Sequence, residues 1–213
     1  MKVKDILAYY SRLKGMYDCK REIGDWLERL GAASWANKKI DALSKGMAQK
    51  IQFISAVIAK PQLVILDEPF SGLDPVNLES LRDAVFQLRE NGTTVLFSTH
   101  DMDMAEKMCD TIFMIFNGQK VLDGTLASIQ SQYPADRIRV EFEDGSTMPD
   151  SIDGISEIES NGRFHEFRLN DVQQSQKVLH QLLEQKPVSH FEILKPSLHD
   201  IFVRIARPEK MAV

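Results

Sequence analysis

The sequence predicts an α/β protein in three parts: a helical opening, a mostly parallel sheet with helices between its strands, and a small α+β tail. Three observations predict it. Apolar residues recur at three- and four-residue spacing through the first sixty positions. Continuous apolar runs then alternate with helical stretches from residue 62 to residue 116. After Tyr133-Pro134 the pattern becomes period-two alternation broken by Asp144-Gly145 and Asn161-Gly162.

The elements follow in order. Val3, Ile6, Leu7, Tyr10 and Leu13 form one helical stripe, and Ile23, Trp26, Leu27 and Leu30 a second that Gly31 stops. Ser44 opens a third helix carrying Ile51, Ile54, Val57 and Ile58, which Pro61 ends. Residues 62–66 read as a strand buried on both faces of a parallel sheet. A helix over 78–89, a turn at Asn91-Gly92 and a second buried strand over 93–98 complete a βαβ unit. A helix over 102–108 leads to a strand over 111–116, and Asn117-Gly118 turns it back onto 120–122 as a hairpin. The tail offers strands over 137–142, 163–169 and 189–194, with a helix over 173–183.

Composition bounds the function. Of 213 residues, 43% are hydrophobic and 27% charged, enough for a substantial core. Asp+Glu 31 against Lys+Arg 26 gives a net charge of −5, which argues against a nucleic-acid binder. The apolar stretches at 53–59 and 112–116 fall far short of the roughly 18 residues a membrane span needs. No secretory leader pattern opens the chain, and Cys19 and Cys109 suit a reducing compartment.

The chemistry centres on Leu63-Val64-Ile65-Leu66-Asp67-Glu68-Pro69. An apolar strand ending in two adjacent carboxylates puts both at the C-terminal sheet edge, where open α/β folds bind ligands. One carboxylate can hold Mg²⁺ through its water shell, and the other can face a nucleophilic water. An isolated Asp-Glu-Pro is usually a solvated strand exit; here its neighbours argue otherwise. Ser71-Gly72-Leu73-Asp74-Pro75 follows at once as a tight acidic turn. Upstream, Leu43-Ser44-Lys45-Gly46-Met47 opens a helix whose free N–H groups, dipole and hydroxyl suit a phosphate. Downstream, Ser98-Thr99-His100 ends the second strand at the same sheet edge as Asp67 and Glu68. By contrast, His165, His180, His190 and His199 lack the spacing of a metal site, and Cys109 reads as a small core residue.

This order of motifs resembles the nucleotide-binding subunit of an ATP-binding cassette (ABC) transporter, over residues 1 to about 130. The resemblance implies that Ser44, Lys45 and Gly46 belong to the signature motif, which contacts the γ-phosphate of ATP held by the opposite subunit. It implies that Asp67 is the Walker B aspartate positioning Mg²⁺, and that Glu68 is the general base. Asp74 takes the place of the D-loop aspartate and His100 that of the switch histidine. Lys45 and Met47 stand where the family has Gly and Gln. A lysine there can reach a phosphate as a point charge, whereas Met47 loses an amide donor.

The P-loop pattern GxxxxGK[ST] occurs nowhere in the chain, and the glutamine loop and adenine-stacking aromatic are missing too. The resemblance therefore implies the C-terminal portion of an ABC ATPase, with roughly 80–100 further residues in a complete subunit. In these terms the fold is a partial P-loop-NTPase-like parallel sheet with a helical subdomain (1–60), the C-terminal part of the ATPase core (61–132) and an α+β accessory domain (133–213). The segment Pro196-Ser197-Leu198-His199-Asp200-Ile201-Phe202-Val203 resembles the end of the accessory domain on bacterial export-type ATPases. ATP and Mg²⁺, a second ATPase subunit and transmembrane permease subunits are the implied cofactors and partners, with no nucleic acid. The implied place is cytoplasmic, at the inner face of the membrane. The tail and the Leu-Ser-Lys-Gly-Met variant favour export over import. Three other readings stand beside this one: a catalytically silent fragment acting through its signature, a soluble non-transport ABC ATPase, and an interaction scaffold.

Overall fold

Three helices open the chain and bury one stripe each. Helix α1 (Val3–Leu13) turns Val3, Leu7 and Ser11 inward, and the Ser11 hydroxyl is satisfied by donating to the Leu7 carbonyl at 2.8 Å. Helices α2 (Lys20–Arg29) and α3 (Lys45–Val57) pack on it and on each other, with Trp26 and Phe53 edge to face at 5.8 Å. Short 3-10 turns at Ala33–Trp35 and Ile40–Ala42 occupy the stretch between the expected stop at Gly31 and the expected start at Ser44. Lys50 is buried, and its ammonium donates to the Leu30 carbonyl at 2.8 Å, at the end of α2. Burial lowers its pKa, and the Asp74 carboxylate pulls it back upward.

The computed structural model describes residues 1–145, 147–149 and 152–206. Its chain divides into two units, Met1–His100 and Asp101–Val213.

The first unit continues with strand β1 (Leu63–Asp67), helix α4 (Pro75–Glu90) and strand β2 (Thr94–Ser98). The strands pair in parallel, with Leu63 opposite Thr94, Ile65 opposite Leu96 and Asp67 opposite Ser98. Helix α4 starts earlier than its apolar period implies, because Asp74 caps it and Pro75 supplies a preset first turn. The expectation of strands buried on both faces is not met. Val64 and Leu66 are buried, but Leu63, Ile65 and Leu96 are exposed, because the pair has no covering layer on that face among the described residues.

The second unit begins with helix α5 (Met102–Met108) and strands β3 (Ile112–Phe116) and β4 (Gln119–Gly124). Asn117 (φ +49°) and Gly118 (φ +73°) fold β3 back onto β4 as the expected hairpin. Among the described residues β3 pairs with β4 alone, and the parallel pairing is limited to β1 and β2. Helix α6 (Leu126–Gln130) follows, capped by Thr125.

The remainder is an antiparallel sheet in the order β6-β7-β5-β8, from β5 (Arg137–Phe142), β6 (Ile155–Asn161), β7 (Phe164–Leu169) and β8 (Val188–Leu194). Helix α7 (Ser175–Gln185) lays Val178 and Leu182 on the sheet's Ile138, Val140, Phe142, Phe167 and Leu169. Leu182 is fully buried there. Leu182→Ala is expected to cost about 2–5 kcal/mol, read from denaturant unfolding of the chain.

The last helix, α8 (Leu198–Ala206), is held at its start by a reciprocal capping box between Ser197 and Asp200. Leu198 and Ile201 do not join the sheet core. They share a separate one with Ile112, Leu122 and Ile129 of the hairpin and α6. Residues expected to close the ATPase core before residue 132 thus pack with the end of the tail.

Candidate phosphoryl-transfer site

Asp67 and Ser98 lie opposite each other at the C-terminal ends of β1 and β2, so the parallel pairing itself builds the site. The Ser98 hydroxyl donates to Asp67 Oδ1 and accepts the Glu68 N–H at 3.0 Å. One side chain therefore fixes both consecutive acidic residues. Glu68 adopts φ +46°, a left-handed conformation that costs a non-glycine residue about 1–2 kcal/mol. Strain of this kind persists only where neighbours over-determine it.

The twist at Glu68 is accompanied by a second contact. Its Oε1 lies 2.8 Å from His100 Nδ1. With Glu68 ionised, Nδ1 must be the protonated nitrogen, because a carboxylate only accepts. The His100 side chain is 81% exposed and that of Glu68 37% exposed, so the pair is presented outward. An exposed pair of this kind adds little stability.

Two helix N-termini frame the same turn. Ser44 caps α3, its Oγ accepting the Met47 N–H at 3.3 Å. Asp74 caps α4, accepting the Asn77 N–H at 3.1 Å and the Asn77 side-chain amide. Those two hydrogen bonds hold the Asp74 carboxyl below the usual carboxylate range. The hydrogen bonds of Ser44 and Asp74 run into their own helices and not to the Glu68–His100 pair. Lys45 and Gly46 instead abut the turn at Gly72 and Leu73. A Cβ on Gly46 would sit 3.3 Å from Leu73 Cδ2, and one on Gly72 would sit 3.1 Å from Lys45 Nζ. Gly72 also has φ +72°, and it is this conformation, more than the movable Lys45 ammonium, that calls for glycine there.

Between α3 and β1 lies a cleft of about 470 Å³, lined by Lys45, Gln49, Phe53, Ile65, Asp67 and Glu68. No cluster of three metal-ligating side chains occurs among the described residues. Asp67 with the Ser98 hydroxyl beside it nonetheless suits Mg²⁺. That ion keeps most of its waters and takes one or two carboxylates together with substrate phosphates.

Comparison with known proteins gives the family of the chain. Residues 124–206 match the family described as "ATP-binding protein DrrA1-3-like, C-terminal domain". Residues 37–103, which span every site residue above, match the family described as "AAA domain, putative AbiEii toxin, Type IV TA system". The chain is 40% identical over 205 residues to the ABC transporter ATP-binding protein YhaQ of Bacillus subtilis, covering 95% of this chain and 69% of the relative. The chain belongs to the ABC transporter ATP-binding proteins.

Other members extend the likeness. A fluoroquinolones export ATP-binding protein of Mycobacterium tuberculosis is 32% identical over 145 residues, 68% of this chain and 48% of that one. A solved ATP-binding subunit of an ABC transporter superposes with a TM-score of 0.57 at 28% identity, over 62% of this chain and 56% of its own. The α/β expectation and the family resemblance both hold. Among the described residues no helix is long and apolar enough to cross a membrane. Sequence reading overlooked two residues of this candidate site. Ser98 counted only as part of a motif, although its position opposite Asp67 follows once β1 and β2 are paired in parallel. Gln49, whose amide meets the Glu68 and Pro69 carbonyls, left a weaker signal: one amide on a largely apolar stretch of α3.

Proposed function

We propose that the chain is the signature- and Walker B-bearing part of an ATP-hydrolysing ABC subunit that powers export across a membrane. The observation that supports it is the 2.8 Å Glu68–His100 contact at the end of the parallel pair, beside Asp67 and Ser98. A carboxylate held outward in a strained backbone, with a histidine on one oxygen, suits a general base that orients an attacking water. Glu68 takes the water proton, and His100 steadies Glu68 and faces the γ-phosphate. Asp67, fixed by Ser98, is the residue that would hold Mg²⁺. When bound, Mg²⁺ neutralises charge on the phosphate oxygens.

In this reading two cassettes sandwich two ATP molecules. Ser44, Lys45 and Gly46 present the start of α3 to the ATP of the opposite cassette, and the helix dipole and free N–H groups there suit its γ-phosphate. Asp74, capping α4 on the same turn, lies at the dimer face. The phosphates need a P-loop, which these 213 residues do not contain. Permease subunits are the membrane partners, and no nucleic acid takes part. Export rests on the DrrA-like tail and the export relative.

Mixed dimers test the sandwich. Ser44→Ala in one cassette is expected to cut hydrolysis about tenfold or more at the partner's site and to lower its own site by less. Phosphate release from dimers with one site silenced gives the answer. A loss at the mutant's own site equal to or larger than that at the partner's would refute the assignment.

A further inference from the structure

Helix α3 touches the catalytic turn at three successive points. Its first residue, Lys45, reaches Gly72; Gly46 abuts Leu73; and one turn later Gln49 inserts its side-chain amide beneath Glu68 and Pro69. The Gln49 Nε2 group donates to the Glu68 carbonyl at 3.1 Å and also to the Pro69 carbonyl. Both acceptors are carbonyls, so the amide can present only its NH₂ end to them, and both of its N–H bonds are used.

Those carbonyls belong to the strained part of the turn. Glu68 is left-handed at φ +46° and stands immediately before Pro69, where the ordinary right-handed helical conformation is sterically disfavoured. Its N–H is held by Ser98 from β2, and its carbonyl also accepts the Ser71 N–H at 3.2 Å from within the turn. Gln49 adds a hold from a third element, the helix that begins at Ser44.

We propose that Gln49 is a positioning residue that holds the Glu68 backbone in place and couples the signature helix to the general base of the same cassette. The inference rests on the reading of Glu68 as general base and gives that site a form of regulation. Ser44 answers to the ATP of the opposite cassette, whereas Gln49, five residues along the same helix, answers to Glu68 of its own. A shift of α3 when the signature engages phosphate moves the Gln49 amide, and with it the carboxylate. Engagement of one ATP thereby prepares hydrolysis of the other.

The test uses the assembled two-cassette ATPase and Gln49→Met, which keeps length and removes both donors. In one dimer the Gln49→Met cassette is paired with a Glu68→Gln cassette, so only the Gln49→Met cassette's own site turns over. In the other, Gln49→Met and Glu68→Gln share one cassette opposite an unaltered one, so the working site borrows only the mutant's signature. The first dimer is expected to lose about 30-fold in kcat with KM within about twofold, the scale of a misplaced catalytic group. The second is expected to stay within about twofold of its Gln49 parent. Gln49→Lys, whose ammonium can again donate to both carbonyls, is expected to restore most of kcat in the first dimer. Loss in the second dimer alone, equal loss in both, or no loss in either overturns the proposal. If Gln49→Met fails to assemble, the same pairings with Gln49→Lys and Gln49→Glu decide it, because only the lysine can donate. If Glu68→Gln alone leaves turnover intact, the general-base reading fails, and it does so separately from the Gln49 proposal.

Discussion

Glu68→Gln is expected to lower ATP hydrolysis by about 10²–10⁴-fold in the complete ATPase while nucleotide binding stays within severalfold. Glutamine has the same shape and tolerates the same backbone. Its amide oxygen can still accept from His100 Nδ1, which lies 2.8 Å from the present carboxylate. The Ser98 and Gln49 holds act on the Glu68 backbone and are untouched. What disappears is the proton acceptor. Steady-state phosphate release and ATP retention, measured together, separate the two effects. Turnover within twofold of normal would remove Glu68 from the mechanism.

His100→Ala is the second large effect: about a hundredfold loss of hydrolysis, with ATP affinity changed only a few-fold. On the proposed roles the split is expected, because His100 would steady the general base and meet charge that grows on the γ-phosphate during transfer, not charge present in the bound state. Unfolding cannot account for such a loss. The side chain is 81% exposed, and exposed substitutions outside strained or buried features generally change stability by less than about 0.5 kcal/mol. Equal loss of hydrolysis and affinity would make His100 a binding residue instead.

Much of this was legible in the residues. The strand over 137–142 matches β5 in both bounds, because Ile138, Val140 and Phe142 alternate cleanly with charge. The hairpin at Asn117-Gly118 was equally plain, since its turn chemistry allows few alternatives. Edges and short elements were not. Strand β6 reads Ile-Ser-Glu-Ile-Glu-Ser-Asn, is mostly exposed at the sheet margin and is interrupted at Glu157 (φ +51°), so it shows no apolar alternation to find. Helix α6 has five residues, too few for a period. At the site, sequence identified the acidic pair and the histidine by type and order. The roles of Ser98 and Gln49 depend on strand register and on how α3 leans against a turn some twenty residues away, and neither is written in local spacing. The exposed Leu63, Ile65 and Leu96 were misjudged for a related reason: an apolar run reports a tendency to be covered, not the presence of a cover.

The small core made by Ile112, Leu122 and Ile129 with Leu198 and Ile201 has a consequence for biosynthesis. Its two halves are some seventy residues apart in the chain. At translation rates of about 5–20 residues per second, the hairpin leaves the ribosome several seconds before its packing partner exists. During that interval Ile112 and Leu122 have only Ile129 and the neighbouring residues of α5 and α6 to cover them, and not Leu198 or Ile201. The core of the hairpin is thus completed only when the last helix has been made.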